Sequence, residues 1–556
     1  MTNREIACML EYIADMLELK NDNPFRIKAY RQAAYSVYHL DEDLRDLYLR
    51  NAVNEVKGIG STIQNYIEEM LETGGCSYYE QLSKEVPRGL LDMLAIPGLG
   101  HKTIKTIYEK LAIDNMEALA AAAEARQIRI LPGMGAKTEY NIIKGIDLLN
   151  KSMEKITLGL AVPLAEDFSR HIMQGQEVIE ATPVGSIRRG KPLVGDVDIL
   201  VAAHNFNRVH AQVATYRGTR KITRAEKDFI QGKLDYNIKF EVIIVEPQDY
   251  SYSLIWTTGS KEFREVIFGD IDRADFRGLG SEEDVFEQMG MQYIPPEMRE
   301  NRGEIEKARK HKLPTLVKLS DIQGELHVHT DWSDGAHSLQ DMVRGAQKIG
   351  YSYLAVTDHS KSLHISGGLS ENRLAEQGKA VDALSEGVKG FTILKGSEVD
   401  ILKDGNLDYQ DDILKDLEVV IASIHSHFNL DQDLQTKRII KAIQNPHVDI
   451  IGHLTGRLLN RRPPYELDID KILEAAAEQG TALEINAHPD RLDVDEETAR
   501  KAVQMGVKLV INSDAHDKKD LYLVKYGILC ARRAWLAKDD IINTWDIEKV
   551  IQYFNS

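Results

Sequence analysis

The sequence predicts a multidomain chain with an all-α, helix-hairpin-helix N-terminal region, an α/β middle and a C-terminal α/β barrel. Three observations carry this. Seven apolar, mostly β-branched or aliphatic runs lie between residues 324 and 516, with helical patterns before several of them. Three copies of a glycine hairpin recur in the first 140 residues. Between these regions, a Gly-Ser pair precedes two aspartates spaced by two on a strand-like run.

The barrel is the most informative region. Its runs are 324–329, 353–359, 391–398, 419–425, 448–453, 482–486 and 508–516, and the helical patterns before three of them end at Gly350, Gly480 and Gly506. Strand alternating with helix, with function at the strand C-termini, describes an α/β barrel whose chemistry gathers at one mouth. Nine ligand-type side chains stand at or just past these ends: His327, His329, Asp334, His359, Glu398, His425, His453, Asp514 and His516. A single strand histidine is usually structural, but repetition at six separate strand ends is not explained that way. His-rich sites with carboxylates suit manganese, zinc or iron, and nine ligands exceed what one ion takes, so two or three divalent metals are expected. Such a cluster acidifies a bound water and clamps both oxygens of a phosphoester.

The hairpins read Val56-Lys57-Gly58-Ile59-Gly60-Ser61-Thr62, Ile96-Pro97-Gly98-Leu99-Gly100-His101-Lys102-Thr103 and Leu131-Pro132-Gly133-Met134-Gly135-Ala136-Lys137-Thr138. Glycine permits the turn and exposes backbone N–H groups at the start of the next helix. These can grip a phosphate without a side-chain charge. Such contacts read the DNA backbone, not its sequence, so Gly58, Gly60, Gly98, Gly100, Gly133 and Gly135 are the expected contacts. Upstream, Arg26, Lys28 and Arg31 lie beside aromatics on one helix, and Arg26, Tyr30 and Arg31 are expected to clamp a DNA 5′ end.

In the middle region Gly185-Ser186-Ile187-Arg188-Arg189-Gly190 precedes Gly195-Asp196-Val197-Asp198-Ile199-Leu200. Asp196 and Asp198 project from one strand face, which suits two Mg²⁺ or Mn²⁺ ions bridged to a triphosphate. Ser186, Arg189 and nearby amides, including Gly195, are expected to hold the phosphates. This is a nucleotidyltransferase palm pattern.

Composition bounds the rest. A chain of 556 residues is expected to hold several domains. Hydrophobic content of 43% and charged content of 28% are ordinary, and no apolar run is long enough to span a bilayer. With no apolar signal core after Met1, cytoplasmic residence is expected. Cys8, Cys76 and Cys530 are too few for a disulfide framework and are expected to be reduced and buried. A net charge of −18 argues against broad polyanion affinity, so nucleic-acid contact must be local.

From about Gly324 onward the chain resembles the PHP (polymerase and histidinol phosphatase) phosphoesterases, through His327-Val328-His329, Ser333-Asp334-Gly335, Thr357-Asp358-His359, Glu398, Ser423-Ile424-His425, Gly452-His453 and Ser513-Asp514-Ala515-His516. The resemblance implies a distorted (β/α)₇ barrel. It also implies that His327, His329, Glu398 and Asp514 hold one ion, that Glu398 bridges to a second held by His425 and His453, and that Asp334, His359 and His516 hold a third. Residues 1 to about 315 resemble the family X DNA polymerases, through the hairpins, the block at 185–200 and Trp256-Thr257-Thr258-Gly259-Ser260. That resemblance adds Trp256 and Gly259 to the nucleotide site and Glu241 as third catalytic carboxylate beside Asp196 and Asp198. The fused order is similar to the bacterial and archaeal PolX family, which combines gap filling with 3′→5′ exonuclease and abasic-site cleavage. Implied domains are a DNA-binding helical domain at 1–85, a fingers-like helix-hairpin-helix domain at 86–155, a palm at 156–247, a thumb at 248–310, a linker at 311–321 and the PHP domain at 322–556. A monomer acting on gapped or 3′-ended duplex DNA and abasic sites, with dNTPs for the palm, is expected.

Departures from the family pattern are local. Glutamate replaces the third aspartate at Glu241, Trp256-Thr257 replaces an aromatic pair, Arg264 replaces an asparagine, and Tyr66 stands where a lyase lysine is expected. Little lyase activity by that route is expected, and polymerase output is expected to suffer. Two competing readings are a palm that only binds DNA ends and, for the whole chain, a small-molecule phosphatase.

Overall fold

The computed structural model describes the chain except residues 2, 39, 41, 95, 97, 98, 153, 154, 270–272 and 556. Two compact units result, Met1–Met153 and Glu154–Ser556.

The first unit is helical. Asn3–Leu19 and Pro24–Tyr38 pack along each other around Ile6, Leu10, Ile13, Ala33 and Val37, which recur at helical spacing and are all fully buried. Cys76 is buried in this unit and Cys530 in the second, but Cys8 is exposed. Cys8 sits on the face of its helix opposite Ile6 and Leu10, so burial was the wrong expectation for that thiol. Three helices, Ser61–Thr73, His101–Leu111 and Ala136–Ser152, begin directly after Gly60, Gly100 and Gly135. Gly58 and Gly133 hold φ of 92° and 75°, the left-handed conformation that glycine adopts without a Cβ clash.

The second unit opens with a five-stranded sheet of order β1-β2-β5-β4-β3: β1 (Val178–Pro183), β2 (Asp196–Ala203), β3 (Thr219–Glu226), β4 (Phe229–Leu234) and β5 (Lys239–Val245). Strands β2 and β5 run parallel, and the remaining pairs are antiparallel. Alternation along β5 turns Phe240, Val242 and Ile244 into the core and leaves Lys239 and Glu241 on the other face. Tyr250–Thr258, Lys261–Phe268 and Glu282–Gln288 follow, around a separate core of Phe263, Phe268, Phe276 and Phe286.

The C-terminal part is a barrel of seven parallel strands in sequential order: β6 (Gly324–Val328), β7 (Tyr353–Val356), β8 (Thr392–Asp400), β9 (Val419–Ser423), β10 (Ile450–Ile451), β11 (Ala482–Asn486) and β12 (Leu509–Asn512). Six of the seven expected runs contain one of these strands, and the third, 391–398, is overrun by β8, which continues to Asp400. A parallel bridge from Val328 to Ala515 brings the last strand back to the first, and Glu325 fastens it by accepting from Ser513 N and Oγ. Gly350, Gly480 and Gly506 take positive φ just past Leu339–Ile349, Ile469–Gln479 and Glu496–Gln504.

One buried ion network joins these layers. Glu300 receives Arg189 Nε at 3.0 Å, Arg533 Nη1 at 3.0 Å and Lys191 Nζ at 3.3 Å, so one carboxylate serves the sheet region, the following helices and the barrel. Nearby, Arg188 and Arg299 both bind Glu282. Against the cost of burial, the two guanidiniums hold its carboxyl down at about 2.

Candidate metal centre and palm site

The nine expected ligands converge at the C-terminal mouth of the barrel. Glu398 lies at the centre, and its two oxygens face different histidines. Oε1 is 3.0 Å from His453 Nε2 and 3.4 Å from His425 Nε2. Oε2 is 2.8 Å from His359 Nδ1, 3.5 Å from His327 Nε2 and 3.6 Å from His329 Nε2. Asp514 Oδ1 approaches His329 Nε2 at 3.2 Å and His327 Nε2 at 3.6 Å, while Asp334 stands 3.4 Å from both His359 Nε2 and His516 Nε2. Three groups have donor atoms close enough to share an ion: His329, Asp334, His359 and His516; His327, His329 and Asp514; and His359, Glu398 and His425. These groups differ from the expected partition: His329 and His359 each fall in two of them, Glu398 groups with His359 and His425, and His453 belongs to none.

The donor set fits divalent cations. His327 Nε2, both ring nitrogens of His329, His359 Nδ1 and Glu398 Oε2 are buried with no well-directed hydrogen bond, for all their closeness to one another, a costly arrangement unless an ion binds them. Burial, with His516 and His359 alongside, pushes His329 down to about 3, so it is neutral and able to ligate. Despite complete burial, the imidazoles hold Glu398 and Asp514 well below the ordinary carboxylate range. Asp514 and His453 also adopt φ of 55° and 24°, uncommon for residues with a Cβ, which aims their side chains inward.

Groups missed in the sequence orient these ligands. Glu484, fully buried on β11, takes His327 Nδ1 at 2.7 Å, and Asp400 on β8 takes His425 Nδ1 at 2.9 Å. Each leaves Nε2 free to face the cluster. Asp358 gathers Thr330, Ser333 and Gln377, and so fixes the loop that carries Asp334. A visible signal existed: an acidic residue inside the apolar run 482–486 needs a buried partner.

The sheet region holds a second acidic site. Asp198 pairs in register with Glu241 across β2 and β5, and Asp196 lies two residues earlier on the same face. Gln231 Nε2 donates to Glu241 Oε1 at 2.9 Å. Burial, with Asp196 and Glu241 beside it, pushes Asp198 up to about 8. Gly185, with φ of 62°, admits the Asp198 carboxylate, since a Cβ there would lie 2.3 Å from Oδ2. Ser186 is half-buried beside this glycine, and Gly195 is exposed at the start of β2. Trp256 is exposed, stacks on Tyr252, and carries the Arg264 guanidinium 5.4 Å from its ring centre. Gly259 is buried against Phe263. Arg189 was expected among the phosphate ligands. It is instead buried, with Nη1 on the Thr258 carbonyl and Nε on Glu300, and braces the helices against the sheet.

In the first unit Gly58, Gly60, Gly100, Gly133 and Gly135 are all exposed, and added Cβ atoms at the last four would meet nothing within 4 Å. Gly98 lies outside the described residues. Two expected DNA contacts are corrected here. Tyr30 is 2% exposed and stacks near Tyr78, so its ring is core. Arg31 is held by Glu11, Asp15 and Glu18, which neutralise it. Arg26 lies over Tyr78 and pairs with Asp22 at 3.3 Å.

Comparison with known proteins matches residues 1–76 to a helix-hairpin-helix domain, 90–147 to a SAM-like helix-hairpin-helix tandem and 325–488 to a PHP domain. The chain is 36% identical to the DNA polymerase/3′-5′ exonuclease PolX of Bacillus subtilis (strain 168), over 99% of both chains. A probable phosphatase of Thermoanaerobacter sp. (strain X514) is 37% identical over 41% of this chain and 93% of its own. Another, from Clostridium acetobutylicum, is 27% identical over 42% of this chain and 94% of its own.

Proposed function

From the premise that the chain belongs to the PolX family of DNA polymerase/3′-5′ exonucleases, we propose a division of labour between its two acidic sites. It is a DNA-repair enzyme: the barrel removes nucleotides from 3′ ends and cuts at abasic sites, and the palm fills gaps. The observation that carries the nuclease half is Glu398, whose two oxygens face separate sets of imidazoles. Two or three Mn²⁺, Zn²⁺ or iron ions, when bound, would supply an acidified water and neutralise the scissile phosphate. His327, His329, Asp334, His359, Glu398, His425, His453, Asp514 and His516 would hold them, with Glu484 and Asp400 setting the ring orientations. The deciding test is the joint substitution of His327 and His329 by alanine in the full chain with Mn²⁺ and a labelled 3′-ended duplex. Persistent cleavage would sink the assignment.

For the palm, Asp196, Asp198 and Glu241 are the proposed catalytic carboxylates, using Mg²⁺ or Mn²⁺ and dNTPs, with Ser186, Gly195, Trp256 and Gly259 around the nucleotide. The register pairing of Asp198 with Glu241 supports a working site over a palm that only binds DNA ends. The exposed hairpin glycines would take the DNA backbone. The phosphatase reading is disfavoured because those relatives match only the barrel portion. No helix among the described residues is long and apolar enough to cross a membrane. We propose a monomer working in the cytoplasm, with the domain limits drawn from the sequence.

A further inference from the structure

Of four arginines in the loops that follow β10 and β11, Arg461 is 72% exposed and pairs with Asp490 at 3.8 Å, and two others are committed to holding those loops. Arg457 donates through Nε to the Arg491 carbonyl at 2.9 Å and also to the Leu492 carbonyl. Arg462 donates through Nε to the Gly456 carbonyl at 2.7 Å and covers the Phe428 ring. Arg491 differs. Its guanidinium donates no hydrogen bond among the described residues, is 21% exposed, and reaches only an ion pair of 3.8 Å with Asp514 Oδ2. Asp514 is among the proposed metal ligands, so a bound cation would draw its charge away and leave Arg491 facing the cluster with its donors available.

The loop holding Arg491 is fixed at both ends. On the barrel side His488 N donates to Asn486 Oδ1, and Asn486 Nδ2 donates to Asp514 Oδ2 at 3.0 Å. On the palm side Leu492 is buried in the hydrophobic core built around Phe168 and Phe240. Pro489 lies against Gly159, where any Cβ would come within 2.5 Å of the proline ring, and Asn460 Nδ2 donates to the Lys155 carbonyl at 3.0 Å. A partly buried guanidinium on a rigid loop, beside a cation cluster, has the chemistry of a bidentate phosphate ligand.

Resting on the nuclease reading, we infer that Arg491 binds the phosphate of the 3′-terminal nucleotide, and that the palm positions it by seating its loop. The test uses the full chain with Mn²⁺ and the p-nitrophenyl ester of thymidine 5′-monophosphate, too small to engage the hairpins. Arg491→Ala should raise KM about tenfold or more and lower kcat less, Arg491→Lys should recover part of the loss, and added guanidinium should partly rescue the alanine variant. Calorimetric affinity for thymidine 5′-monophosphate, read without turnover, should weaken about tenfold in Arg491→Ala, with metal content unchanged. Gly159→Val should move KM in the same direction through Pro489. Unchanged KM and unchanged nucleotide affinity in Arg491→Ala would overturn the inference, as would loss of bound metal, which would make Arg491 a support for Asp514. An inactive wild type would instead overturn the nuclease reading beneath it.

Discussion

The barrel site is a mostly buried cluster of imidazoles and carboxylates and the palm site a half-buried cluster of carboxylates, and they are held in different ways. At the barrel, His327 and His425 are each held through Nδ1 by an acid outside the nine ligands, and imidazoles hold Glu398 and Asp514 well below the ordinary carboxylate range. At the palm, three carboxylates face one another with Gln231 as the donor to Glu241, and Asp198 retains its proton to about 8. The first site is held by histidine–carboxylate pairs, whereas the second brings like charges together with few donors between them. Substitutions and pH should therefore act on them unequally.

The sharpest break is the His327→Ala, His329→Ala double variant, which should reduce 3′ cleavage to background and leave primer extension on gapped DNA intact. Falling extension would show that the sites are not separable. Next in size is Glu241→Asp. Shortening this side chain by one methylene should raise extension by up to about a hundredfold, since displacement of about 1 Å costs that much, and should leave cleavage alone. Glu484→Gln should weaken barrel metal binding or cleavage by about ten- to a hundredfold, measured by metal titration and exonuclease assay, with no change at the palm.

The pH dependence gives the smallest effect. The folded Asp198 carboxyl holds its proton up to about 8, against 3.8 for the free group. The metal-free palm thus loses stability as pH rises through that window, because the folded state binds the extra proton. Cation binding must displace the proton, so Mg²⁺ affinity at the palm should rise by up to about tenfold per unit toward pH 8 and then level off. Isothermal titration of the His327→Ala, His329→Ala variant isolates this signal, and a flat profile would contradict it.

Local rules made most of the architecture readable. Strand ends carrying His327, His359 and His425 could be seen because apolar runs mark each strand, and glycine caps three of the units, without reference to the rest of the chain. The phosphate role expected for Arg189 failed for a long-range reason: Glu300, more than a hundred residues away, claims its guanidinium. Tyr30 failed because its neighbours in sequence are charged while its neighbour in space is Tyr78. Arg491 escaped notice because nothing local distinguishes it from Arg457 and Arg462. Only the destinations of their N–H groups separate the three.

Glu300 also limits how freely this protein can be taken apart. The phosphatase relatives match only the barrel portion, over nearly their whole length, yet here Arg533 of the barrel and Arg189 of the palm meet on one carboxylate that belongs to neither. Cutting the barrel out would open Arg533, now 2% exposed, to water and remove its bond to Glu300 while leaving its 2.7 Å pair with Glu496. Transplanting a foreign barrel without such an arginine would leave Glu300 paired with Arg189 and Lys191 alone. Residues 154–556, tied together at Glu300 and through Leu492 in the core around Phe168 and Phe240, should therefore melt in one cooperative step.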